Sequence, residues 1–85
     1  MASRPRFCKF PQGAVDFRFS VERGVIQSLK IYGDFFGMGD IADVEKWLTG
    51  IPYRREAVEL AFTQFDARHY FGGIEAEALV DLLVG

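Results

Sequence analysis

Cysteine is nearly absent from this chain: Cys8 is the single one among 85 residues. No disulfide can close within it, and a reducing compartment, by default the cytoplasm, is expected. Histidine is as scarce, with His69 alone, and one imidazole with one thiol cannot complete a zinc site from soft ligands. No apolar run approaches the roughly 20 residues that a membrane-spanning helix needs. The opening Met1-Ala2-Ser3-Arg4-Pro5-Arg6 has no apolar stretch behind it, unlike a secretory signal, and reads as a short disordered lead into the first strand. Neither sign of charge dominates: ten Lys and Arg against twelve Asp and Glu give a net charge of −2, with no basic stripe to track a phosphate backbone. Neither nucleic acid nor membrane is an expected partner.

Catalytic constellations are missing as well. A phosphate-binding loop needs a glycine-rich turn ending in Lys and Ser or Thr at a helix start; the glycine-rich segment here, Gly33 to Asp40, has neither and carries Asp34 and Asp40 instead. A dinucleotide fingerprint fails on glycine spacing and on the absent parallel βαβ context. Ser3, Ser20 and Ser28 have no histidine at a suggestive position, so nucleophilic catalysis has no support. Asp34, Asp40 and Asp43 match no calcium loop, and capping explains Asp40 and Asp43 more simply than a magnesium site does. The chain is therefore expected to be no enzyme on its own and to bind no cofactor or metal.

What is present is a foldable core. Hydrophobic residues make up 49% of the chain and nine are Phe, which argues for one small folded domain over residues 1–85. Val15, Phe17, Phe19 and Val21 alternate with Asp16, Arg18, Ser20 and Glu22, the period-two mark of a strand with one wet face. Glu22-Arg23-Gly24 supplies a turn, and Val25 to Tyr32 reads as an antiparallel partner in which Ile26 is out of phase with Leu29 and Ile31, predicting a bulge near Gln27 and Ser28. Arg6 to Phe10 is a third strand, ended by Pro11-Gln12-Gly13.

Beyond Gly39 the period becomes helical. Asp40 is a good N-cap, Ile41, Val44 and Leu48 share a face, and Gly50 stands where a C-terminal glycine belongs. A second helix covers about residues 54–64, with Val58, Ala61, Phe62 and Phe65 inward. A third covers about 75–83, opened by Gly72-Gly73, with Leu79, Leu82 and Leu83 inward. The expected fold is α+β: a small three-stranded antiparallel sheet from the N-terminal half, covered on one face by about three helices from the C-terminal half.

Between sheet and helices lies Ile31-Tyr32-Gly33-Asp34-Phe35-Phe36-Gly37-Met38-Gly39-Asp40, which breaks both periods. Phe35 and Phe36 are adjacent and cannot point the same way in extended backbone, so one is expected to pack inward and the other to face a neighbour. Gly33, Asp34, Phe35 and Phe36 form the candidate domain-contact surface. Trp47 and Tyr53, around the end of the first helix, suit packing more than ligand contact. Arg54 and Arg55 oppose the dipole of the second helix, which suits a solvated helix start or an acidic partner.

Five segments, Lys9-Phe10-Pro11-Gln12-Gly13, Val21-Glu22-Arg23-Gly24-Val25-Ile26, Tyr32-Gly33-Asp34-Phe35-Phe36, Leu48-Thr49-Gly50-Ile51-Pro52-Tyr53 and Tyr70-Phe71-Gly72-Gly73-Ile74, together resemble the C-terminal accessory domain of lipoate-protein ligases over nearly the whole chain. That resemblance implies an α+β fold and a role beside a larger catalytic domain, whose Arg-Arg-x-x-Gly-Gly-Gly motif and catalytic lysine this chain lacks. ATP, magnesium and lipoate are implied for the complete ligase, which makes lipoyl-AMP and passes the lipoyl group to a lysine of acceptor domains in 2-oxoacid dehydrogenase or glycine cleavage complexes. The family's accessory domain packs near that pocket and reorients between the two steps. The alternative is a stand-alone noncatalytic protein-interaction module of the same fold.

Overall fold

The computed structural model describes residues 3–85, with side chains from Arg6 onward; the disorder expected of Met1 and Ala2 lies outside the described residues. Strands β1 (Ser3–Phe10), β2 (Gly13–Glu22) and β3 (Val25–Gly33) form an antiparallel meander in the order β1-β2-β3. Helices α1 (Ile41–Leu48), α2 (Arg55–Phe62), α3 (Ala67–Tyr70) and α4 (Ala76–Val84) follow. The three longer helices are the expected ones. The one-turn α3 was not expected, because four residues are too few to show a period.

The alternation in β2 does what it promised. Val15, Phe17 and Phe19 are at most 1% exposed, beneath a helix layer that adds Val44, Leu48, Val58, Phe62, Leu79, Val80 and Leu83 to the same core. Val80 takes the buried place expected of Leu82, which is half-buried. β1 starts earlier than the sequence suggested, at Ser3, because β2 is long enough to pair with it there.

Ser20 pairs with Ser28 but Val21 pairs with Ile26, which leaves Gln27 as the extra residue of the expected bulge. The bulge restores Ile26 to the buried side. The β2–β3 turn has positive φ at both central positions, +55° at Arg23 and +75° at Gly24, the geometry whose twist matches that of the flanking strands.

The free edge of β3 is covered. Ile26 N–H donates to the Ile51 carbonyl at 3.0 Å, Gly50 N–H to that of Ile26 at 2.7 Å, and Tyr53 N–H to that of Gly24 at 2.7 Å. Farther along, the Glu45 carboxylate of α1 accepts the Ile31 N–H at 2.8 Å. Helix α1 itself starts as its sequence suggests: the Asp40 side chain accepts the Ala42 N–H at 3.0 Å.

Candidate domain-contact surface

Because β1, β2 and β3 form a meander, the β1–β2 turn and the C-terminal end of β3 meet at one end of the sheet. The candidate residues lie there. Gly33 ends β3 beside the start of β2, where the Asp34 N–H donates to the Ala14 carbonyl at 3.2 Å. The Asp34 carboxylate accepts the Ala14 N–H in return, at 2.5 Å. This reciprocal pair ties the junction to the sheet, and it uses Asp34 as a backbone partner.

Phe35 and Phe36 point apart, and one of them packs inward as expected. Phe35 is half-buried, its ring 5.1 Å from that of the fully buried Phe71. Phe36 is 90% exposed. What holds Phe36 outward is a set of close backbone approaches that only glycine permits. A Cβ on Gly37 would come within 1.8 Å of the Tyr70 carbonyl oxygen, and one on Gly72 within 2.6 Å of that of Phe36. Met38 N–H closes the contact by donating to the His69 carbonyl at 2.8 Å. Gln12 Nε2 reaches the Gly73 carbonyl at 3.4 Å.

Three segments far apart in sequence, Pro11–Gly13, Gly33–Met38 and His69–Gly73, therefore meet in one place. Composition pointed only to the middle one. Gln12 and Tyr70 carry no local sign of lying here, whereas Met38 belongs to the glycine-rich segment itself, between two glycines, and is 72% exposed. Trp47, Phe65 and Tyr70 form a neighbouring aromatic cluster, with Trp47 stacked on Phe65 at 5.3 Å and Tyr70 edge-on to Trp47 at 5.7 Å. Trp47 is thus chiefly a packing residue, though 43% of it stays exposed.

Other residues singled out in the sequence have local duties. The Tyr53 hydroxyl donates to the Leu83 carbonyl at 2.8 Å and its ring lies 5.3 Å from that of Phe19. Arg55 pairs with Glu59 at 3.2 Å and with Asp81 of α4; the hydrogen bond to Asp81 holds its guanidinium above the usual range. These pairs answer the Arg55 charge placed against the α2 dipole, while Arg54 is the exposed N-cap residue. His69 is exposed with its ring edge-on to Tyr70, and Cys8 is half-buried. Among the described residues, no three His, Cys, Asp or Glu side chains gather where they could share a metal ion.

The family model described as the C-terminus of bacterial lipoate protein ligases matches residues 5–83. The chain belongs to this family. Its members' full-length relatives include lipoate–protein ligase 1 of Staphylococcus aureus, 44% identical over 75 residues, which are 88% of this chain and 23% of that protein. Lipoate-protein ligase LplJ of Bacillus subtilis is 37% identical over the same shares, and the lipoate–protein ligase of Streptococcus pyogenes 40% identical over 88% of this chain and 22% of its own length. This ligase C-terminal domain thus spans less than a quarter of those relatives. The five segments by which its sequence resembles the family sort into two groups in space. Three build the junction end, and the other two, Val21–Ile26 and Leu48–Tyr53, are hydrogen-bonded to each other around the β2–β3 turn at the opposite end.

Proposed function

We propose that this domain is the noncatalytic accessory part of an ATP-dependent lipoate-protein ligase, and that it assists both the activation of lipoate to lipoyl-AMP and transfer of the lipoyl group to a lysine of an acceptor protein. The observation that carries the reading is the junction end itself: conformationally constrained by glycine contacts, yet presenting Phe36 at 90% and Met38 at 72% exposure. Phe and Met are enriched at protein interfaces relative to the rest of the surface. In this reading the catalytic part of the ligase covers them.

Several polar groups that could meet a nucleotide or a metal ion are already engaged within the domain. Asp34 and Asp40 are used by the Ala14 and Ala42 amides, the glycine-rich junction offers no Lys, Ser or Thr to a phosphate, and Arg55 is held by two carboxylates. In this reading ATP, magnesium and lipoate belong to the catalytic part. The contribution of this domain is then steric: an adenylate is a mixed anhydride that water destroys, and a docked domain excludes water until the acceptor arrives. The acceptors on this reading are lipoyl domains of 2-oxoacid dehydrogenase or glycine cleavage complexes, met in the cytoplasm. No helix among the described residues is long and apolar enough to cross a membrane.

The test mixes the chain with the separately produced catalytic part of a bacterial lipoate-protein ligase and follows lipoate-dependent pyrophosphate release. Stimulation is expected. A rate equal to that of the catalytic part alone would sink the reading, and binding without stimulation would favour the stand-alone interaction module.

A further inference from the structure

The helices cover one face of the sheet, and the other face carries two aromatic side chains that neither capping nor core packing explains. Phe7 of β1 and Tyr32 of β3 are both register partners of Asp16 in β2. The three residues form one row across the open face, with the two aromatics flanking the aspartate about 10 Å apart, twice the spacing between strands. Phe7 is 64% exposed and Tyr32 56%. The next row is polar: Arg18 faces Lys30, and both are mostly in water. Arg18 Nε donates to the Asp16 carboxylate at 3.1 Å and Lys30 lies 3.8 Å from that of Glu45, so the charge between the two rings is already paired; aromatic side chains and arginine are both enriched at protein interfaces.

The row lies in the half of the sheet nearer the junction, and Tyr32 precedes Phe36 by four residues. Among the described residues six large hydrophobic side chains are exposed, and four of them, Phe7, Tyr32, Phe36 and Met38, belong to this end. Scattered single exposures are ordinary, but clustering at one end is not. More than three quarters of the relatives' length lies outside the segment this chain matches, so a large polypeptide is available to cover such a surface.

We infer that the docking surface for the catalytic part of the ligase continues from the junction onto the open face of the sheet, with Phe7 and Tyr32 as its anchors, each entering an apolar pocket of that part on either side of the Asp16–Arg18 pair. The inference rests on the accessory reading above. In it, Phe36 and Met38 grip one side of the contact and the Phe7–Tyr32 row the other, with Arg18 and Lys30 at the rim.

The experiment titrates the chain and its Phe7→Ser and Tyr32→Ser variants against the catalytic part, alongside thermal unfolding of each variant. Each substitution is expected to weaken binding about tenfold or more, the scale of a truncated interface anchor, while the variants remain folded. Tyr32→Phe, which keeps the ring, is expected to retain most of the affinity. Wild-type affinity in both serine variants would overturn the extended surface and leave the accessory reading standing. Failure of the wild-type chain to bind the catalytic part would overturn both.

Discussion

Phe35 and Phe36 show how one peptide bond separates two kinds of work. Adjacent side chains in extended backbone point apart, and here Phe35 turns onto Phe71 while Phe36 turns to solvent. Their alanine variants should therefore behave oppositely. Phe35→Ala removes a half-buried ring and is expected to cost about 2 kcal/mol, below the 3–5 kcal/mol of a fully buried phenylalanine. Phe36→Ala should change stability by less than about 0.5 kcal/mol and still weaken binding to the catalytic part. Chemical denaturation of both variants, with a titration of the second, checks this; a Phe36→Ala chain that binds normally would remove the junction from the contact. At this scale the sequence disclosed that one phenylalanine turns inward, but not which. The choice depends on where Phe71 lies, and Phe71 is brought there by a chain reversal that no neighbouring residue of Phe35 encodes.

Among the elements, β3 owes its protected edge to parts that follow it in sequence. An unpaired strand edge is a template for another chain, and here Gly50–Tyr53 and the Glu45 carboxylate cover it. Glu45→Ala is expected to leave the Ile31 N–H without a partner, accelerating its hydrogen exchange and costing about 1–3 kcal/mol; Glu45→Gln keeps an acceptor and should retain much of the protection. Amide-resolved exchange decides it, and unchanged protection of Ile31 in the alanine variant would contradict the proposed cover. The alternation of β2, the turn at Arg23-Gly24 and the Asp40 cap were all legible, since each depends on residues within a few positions. Helix α3 was not, because it is held by its surroundings more than by its own four residues. Nor was the cover over β3: nothing local in Glu45 distinguishes a carboxylate that will cap a strand from one that will face water.

Over the whole molecule, the five family-like segments divide into a junction end that exposes aromatics and an opposite end where backbone hydrogen bonds join the β2–β3 turn to Gly50–Tyr53. The division predicts that the two ends can be perturbed separately. Tyr53→Phe removes the hydroxyl that donates to the Leu83 carbonyl and is expected to cost about 1 kcal/mol, a fall of roughly 4–8 °C in Tm for a domain of this size. Affinity for the catalytic part should not move. Thermal unfolding together with the binding titration checks both halves, and a loss of affinity without a loss of stability would place the contact at the wrong end.

The sequence by itself determined the α+β class, the strand phases, the bulge, the α1 cap and the likeness to lipoate-protein ligases, because periodicity, turn chemistry and motif order are all carried along the chain. Only the tertiary structure decided that Pro11–Gly13, Gly33–Met38 and His69–Gly73 form one surface, and that Phe7 and Tyr32 stand on either side of Asp16. Those juxtapositions depend on strand register and on backbone approaches between residues as much as 61 positions apart, as in the Gln12–Gly73 contact, and steric fit at that separation leaves no periodic mark in the sequence.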